Sequence, residues 1–123
     1  MLNRLLKLKQ RREQSLRVWL VQLAADDARL AARQTAVLDA RRELQGAWRA
    51  LAAHSGQFSQ SALEQLRSEL ACHERQDESL QNQLDSLVSE RLQLAQTRAE
   101  QEGMLRKNLR EQEKLRLLIG GQQ

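Results

Sequence analysis

Leu16, Leu23, Leu30, Val37, Leu44 and Leu51 recur at unbroken seven-residue spacing, and Leu2 fits the same register with Lys9 as the interruption. A heptad sustained this long keeps one stripe of a helix turned toward a partner helix as the two supercoil left-handedly. The chain has no proline to stop such a helix. The companion stripe, read three residues after each heptad position, is Leu5, Arg12, Trp19, Asp26, Arg33, Ala40 and Ala47. It is mixed in character. Trp19 is expected to pack on the seam, and the alanines to let a partner approach closely.

The second half carries its own seam, in alternating steps of three and four. It runs through Leu63, Leu66, Leu70, His73, Asp77, Leu80, Leu84, Leu87 and Arg91, then Leu94, Arg98, Gln101, Leu105, Asn108, Gln112, Leu115 and Ile119. Ten of these seventeen positions are apolar, which marks a buried stripe in a chain this charged. The seam is strongest from Leu63 to Leu94 and becomes polar from Arg98 to Gln112, where long Arg stems still cover apolar surface.

Helix-stopping chemistry collects between the halves, in His54-Ser55-Gly56-Gln57-Phe58-Ser59-Gln60-Ser61. Gly56 suits the left-handed position that ends many helices. Ser61-Ala62-Leu63-Glu64 reads as a capping box. Ser59 is a rival cap, with Phe58 and Leu63 as its hydrophobic staple. Gly46 and Gly103 stand alone in helical pattern, each costing about 1 kcal/mol relative to Ala, too little to end a packed helix. The expected helices run over about 2–54 and about 60–118, with a turn at about 55–60 and a frayed tail over 119–123. At ~1.5 Å rise per residue each is on the order of 80–90 Å long. A short turn forces them antiparallel. The expected fold is therefore all-α, one antiparallel two-helix coiled-coil hairpin spanning 1–123.

Composition closes the other routes. One Ile, four Val and two Thr leave a sheet little to build from. One Phe, two Trp and no Tyr argue against a thick globular core. Cys72 is the single cysteine, so no disulfide framework arises. The uncharged run Val18–Val21 is too short for a membrane span or a signal-peptide core. The Arg-rich opening is transit-peptide-like in composition, but it continues directly into the heptads. A soluble cytoplasmic protein is expected.

Charge is polarised. The net charge is +4 and the sequence pI about 10.0. Residues 1–17 hold six cations (Arg4, Lys7, Lys9, Arg11, Arg12 and Arg17) against Glu13 alone. Residues 98–116 hold six basic and four acidic groups, whereas residues 39–78 hold five Arg and seven acids. Folding back gathers both basic stretches at one end. Arg4, Lys7, Arg11, Lys107, Arg110 and Lys114 are therefore candidates to engage phosphate or an acidic protein surface. Trp48 and Phe58, two of three aromatics and both near the turn, are candidate partner anchors.

Catalytic chemistry finds little footing. His54 and His73 are the only histidines, and Cys72-His73 with Asp77 and Glu78 a turn away lacks the convergent ligands and closed pocket of a metal site. No phosphate loop, nucleotide-binding glycine motif or triad spacing is present. Neither an enzyme nor a bound cofactor or metal is expected. Asn3 and Arg11 fall at the spacing of a bZIP basic region, but the zipper positions that would follow are Val21, Ala28 and Thr35. The register fails, and nucleic acid is not the expected partner.

The start Met1-Leu2-x-x-Leu5-Leu6-x-x-x-x-Arg11-Arg12, the length, the two long helices and the central Ser/Gly/Phe turn resemble the central-stalk proteins of type III secretion systems. These form the YscO-type family, related to the flagellar export protein FliJ, and the resemblance covers the whole chain. It implies a non-enzymatic stalk, similar to the γ subunit of rotary ATPases, whose terminal end enters the pore of a hexameric secretion ATPase and whose tip reaches the export gate protein. On that resemblance Arg4, Lys7, Arg11, Arg12, Lys107, Arg110 and Lys114 face acidic pore residues, and Trp48, Phe58 and Leu66 lie at the gate. The implied place is cytoplasmic, peripheral to the inner-membrane secretion apparatus, without membrane insertion. The alternative is a free helical-hairpin adaptor or secretion chaperone that binds through its seam or tip.

Overall fold

The structure, a computed structural model, describes residues 1–53 and 59–121. Among them are two helices and no strand: α1 (Leu2–Ala53, 52 residues) and α2 (Gln60–Gly121, 62 residues). They pack against each other as an all-α helical hairpin. Gly56, Phe58 and most of the expected turn lie outside the described residues. Ser59 is the cap of α2. Its Oγ accepts the Ala62 N–H at 3.3 Å, and its carbonyl accepts the Leu63 N–H at 3.0 Å. The hydroxyl satisfies one of the four donors a helix start leaves free, and the carbonyl takes the first regular bond of the helix. The Ser61–Glu64 capping box is thereby corrected, because Ser61 already lies inside α2, with its Oγ 3.3 Å from that of Ser59. At the far end α2 runs to Gly121 instead of stopping near 118. Ile119 is half-buried there, which gives the last turn something to hold.

Where one hairpin unit over 1–123 is expected, the same two helices contribute to two compact units, Met1–Arg29 with Arg91–Gln123, and Leu30–Glu90. A two-helix pair has no contacts beyond its immediate layers, so its core is laid down locally.

In the first unit Leu16, Leu23 and Leu115 are buried together with Gln101, Asn108 and Gln112. Antiparallel order is visible in the cross-helix partners: Lys9 reaches Glu111, and Asp27 reaches Arg91. Gln112, 0% exposed, donates to Glu13 Oε1 at 2.9 Å, to Asn108 Oδ1 at 2.6 Å and to the Lys9 carbonyl at 3.4 Å. From Gln101 to Gln112 the polar seam positions are therefore buried; Asn108 and Gln112 are hydrogen-bonded, whereas the Gln101 side-chain oxygen has no partner among the described residues.

In the second unit Leu84 and Leu87 form the buried core. Arg41 crosses to α2 and donates from Nε to Asp77 Oδ1 at 2.7 Å and from Nη1 to Gln81 Oε1 at 2.5 Å. Trp48 meets His73 edge-on, with ring centroids 6.0 Å apart and planes at 76°, a favourable aromatic geometry.

The heptad leucines of α1 are buried or half-buried, but the companion stripe lies one residue later than the sequence reading placed it. Leu6, Glu13, Leu20, Asp27, Gln34, Arg41 and Trp48 are half-buried. Leu5, Arg12, Trp19, Arg33, Ala40 and Ala47 are exposed. A seven-residue stripe accepts a companion three or four residues on. Apolar Leu5, Trp19, Ala40 and Ala47 favoured the first choice, while the true companions include four polar residues. Those four are held by partners rather than by hydrophobicity. In α2 every expected seam position but Leu63 and Arg98 is buried or half-buried.

Candidate partner-binding surface

The cations of the first unit fall into two groups. Lys9, Arg17, Arg29, Arg91, Arg98 and Arg116 are neutralised internally, Arg29 by Asp26 and Arg91 by Asp27. Lys9 Nζ lies 2.5 Å from Glu111, Arg17 Nε 2.8 Å from Glu13, Arg98 Nε 3.0 Å from Glu102, and Arg116 3.6 Å from Glu113. Arg4, Lys7, Arg11, Arg12, Lys107, Arg110 and Lys114 are all exposed, and none forms an ion pair among the described residues. Arg4, Lys7 and Arg11 follow i, i+3, i+7 along α1. Lys107, Arg110 and Lys114 follow the same spacing along α2. That spacing puts each set on one helix face, and both faces point away from the seam.

The carboxylates inside this unit are already committed. The Lys9 ammonium hydrogen-bonded to Glu111 holds that carboxyl below its ordinary value, and the nearby charges of Lys107 and Lys114 act in the same direction. Arg17 and then Gln112, both hydrogen-bonded to Glu13, lower its carboxyl as well. The surface thus offers exposed cationic heads that form no ion pair among the described residues, beyond the longer-range pull of Lys107 and Lys114 on the already paired Glu111. Such an arrangement attracts anionic partners from a distance and raises association rates.

The structure brings all seven expected basic residues into this unit. Arg106, exposed and without an ion pair among the described residues, belongs with them. It was legible in the sequence as a further cation beside Lys107.

The expected aromatic anchors lie in the second unit. Trp48 is half-buried on the seam against His73, and Leu66 is half-buried too. Phe58 lies outside the described residues. Trp48 also lines an open groove of about 340 Å³ with Leu44, Leu70, His73, Glu74 and Asp77, so one edge stays accessible. His73 Nδ1 is buried with no hydrogen-bond partner among the described residues, while Cys72 beside it is an exposed free thiol. Among the described residues no group of three or more His, Cys, Asp or Glu converges to hold a metal, and no helix is long and apolar enough to cross a membrane.

No protein-family model, no curated protein and no solved structure matches the chain.

Proposed function

We propose that the chain is a non-enzymatic central stalk of a type III secretion export apparatus, working at the cytoplasmic side of the inner membrane. Its terminal unit enters the pore of the hexameric ATPase, and the unit of residues 30–90 links to the export gate. One observation carries this reading: Arg4, Lys7, Arg11, Arg12, Lys107, Arg110 and Lys114 are exposed and form no ion pair among the described residues, while neighbouring cations are neutralised within the fold. A ring lined with carboxylates is the complement of such a surface. The resemblance to YscO-type stalks supplies the identity of that ring. The hairpin seam supplies stiffness without a second chain. Trp48 and Leu66, with Phe58, supply the gate contact.

The test is the ATPase rate of the hexamer with and without the chain, together with ring binding across a salt series. Stimulation and salt-sensitive binding are expected, and Arg4→Glu/Lys7→Glu/Arg11→Glu abolishes both. No stimulation and no binding at low salt would remove the proposal.

The groove beside Trp48 favours one second reading, a free adaptor or secretion chaperone that binds apolar segments. Under it Trp48→Ala or Phe58→Ala weakens partner binding more than the triple charge reversal does, and salt has little effect.

A further inference from the structure

The two sides of the first unit differ in exposed apolar residues that the stalk reading does not use, although it shares the cations beside them. With the seam fixed by Leu6, Lys9, Glu13, Leu16 and Leu20, the positions next to it on one side of α1 are Leu5, Arg12 and Trp19, with Leu8 just beyond. In an antiparallel pair the positions facing them from α2 are Leu118, Glu111 and Met104. The Lys9–Glu111 bridge, 2.5 Å, ties this side together. Leu5, Leu8 and Trp19 are 42%, 59% and 44% exposed, and Met104 and Leu118 are 48% and 57% exposed. On the opposite side Arg17 pairs with Glu13 and Arg116 with Glu113. That flank carries the ion pairs, with Leu109 half-buried between them and Val21 exposed beyond, whereas the first flank gathers Leu, Met and Trp side by side across both helices in one strip.

Around that strip stand Arg12, Lys107 and Lys114, exposed and without ion pairs among the described residues. Its one carboxylate at the centre, Glu111, is already neutralised by Lys9. The strip thus combines Leu, Met and Trp with a rim of net positive charge, in which Arg12, Lys107 and Lys114 outnumber one exposed carboxylate, Glu100, a turn from Met104.

We infer that this flank, built from Leu5, Leu8, Trp19, Met104 and Leu118, lies on the headgroup layer of an anionic bilayer. Apolar side chains with a tryptophan enter the acyl boundary, and Lys and Arg stems extend to the phosphates. Charge argues against a second copy of the chain, which would bring Arg12, Lys107 and Lys114 against their own kind. The hollow beside Trp19 is lined by Gln14, Ser15, Val18 and Gln22, all from α1, and is not a channel between the helices. No crossing of the bilayer is involved. The inference does not rest on the stalk reading, and its test contains no ATPase.

The experiment uses the full chain carrying Trp48→Phe, so that Trp19 is the sole reporter. It is floated with phosphatidylcholine vesicles with and without phosphatidylglycerol, at low and high salt. Flotation only with phosphatidylglycerol, with a blue shift of Trp19 emission and protection from acrylamide, is the expected result. Lys107→Glu/Lys114→Glu lowers vesicle affinity on the order of tenfold or more. Leu8→Gln/Leu118→Gln loses the blue shift while helicity by circular dichroism is unchanged, since both side chains are exposed. Absence of flotation at low salt would overturn the inference. So would flotation untouched by Leu8→Gln/Leu118→Gln, which marks charge attraction alone, or an equal Trp19 shift with poly-L-glutamate, which marks an acidic polypeptide as the occupant.

Discussion

Arg91 grips Asp27 across the helix pair, its Nε donating to Oδ1 at 2.9 Å and its Nη2 to Oδ2 at 3.3 Å. This forked geometry is the strong form of an Arg–carboxylate pair. The Arg91 hydrogen bonds hold the Asp27 carboxyl below its ordinary value. Arg41 does the same to Asp77, Arg17 and Gln112 to Glu13, and Lys9 to Glu111. Each depressed carboxyl stabilises the fold at pH above its unfolded value, 3.8 for Asp and 4.5 for Glu. That contribution is lost as pH falls through the lower folded value, because the unfolded chain takes up protons first. The melting temperature by circular dichroism should therefore be flat from neutrality to mild acid and then fall. Asp27→Asn should flatten part of the acid limb. A melting temperature that rises below the carboxylate range would contradict the assignment.

The corrected seam makes a pair of substitutions decisive. Leu16 is 1% exposed and Trp19, three residues on, is 44% exposed. Leu16→Ala empties a core position and should cost about 2–5 kcal/mol. Trp19→Ala removes the larger side chain from a surface position, and in lipid-free solution should change stability by roughly 0.5 kcal/mol or less. Denaturant unfolding of the two variants measures the difference. Equal losses would return Trp19 to the seam.

What could be read in advance follows from where hydrophobicity carried the information. The heptad of Leu16 to Leu51 and the three-four steps of α2 revealed the two helices, because leucine at those positions has no other use. The companion stripe of α1 was not legible. Glu13, Asp27, Gln34 and Arg41 are polar, and their place on the seam depends on partners such as Gln112, Arg91 and Asp77, separated by many residues in sequence. No local rule weighs a partner that far away. The basic surface was legible in composition. Its division into neutralised and free cations was not, since Lys9 and Lys7 look alike until Glu111 arrives from the other helix. Ser59 and Ser61 were equivalent as caps until the backbone of α2 chose the earlier one.

Gly46 should be replaceable with gain. It sits within α1, has no positive φ, and a Cβ built on it meets nothing within 4 Å. The conformational cost of glycine in a helix is therefore unopposed by any packing benefit. Gly46→Ala should stabilise the chain by about 1 kcal/mol, a rise of a few degrees in melting temperature for a chain of this size. An unchanged or lowered midpoint would contradict the reading of Gly46 as an unpacked helix-interior position.

The buried amide of Gln112 is the place where stability and uniqueness should separate. Its Nε2 is shared among Glu13, Asn108 and the Lys9 carbonyl, and its Oε1 accepts from Arg116 at 3.2 Å. Gln112→Leu alone strands the Asn108 carbonyl oxygen in a buried layer, which should cost about 1–3 kcal/mol. Asn108→Leu/Gln112→Leu removes both polar partners together. The double variant should be more stable than either single variant, a non-additivity expected of residues that share one hydrogen bond. The gain has a consequence. An α2 stripe uniformly apolar from Leu105 to Leu115 penalises other registers and pairings less, with only Lys9 and Glu13 of α1 left as polar seam positions there, because buried amides are what penalise the alternatives. Sedimentation should then show oligomers that the parent chain does not form, alongside a higher melting temperature. A double variant that melts below both single variants would mean that the amide layer is a source of net stability, and the role in register assigned to it would have to be abandoned.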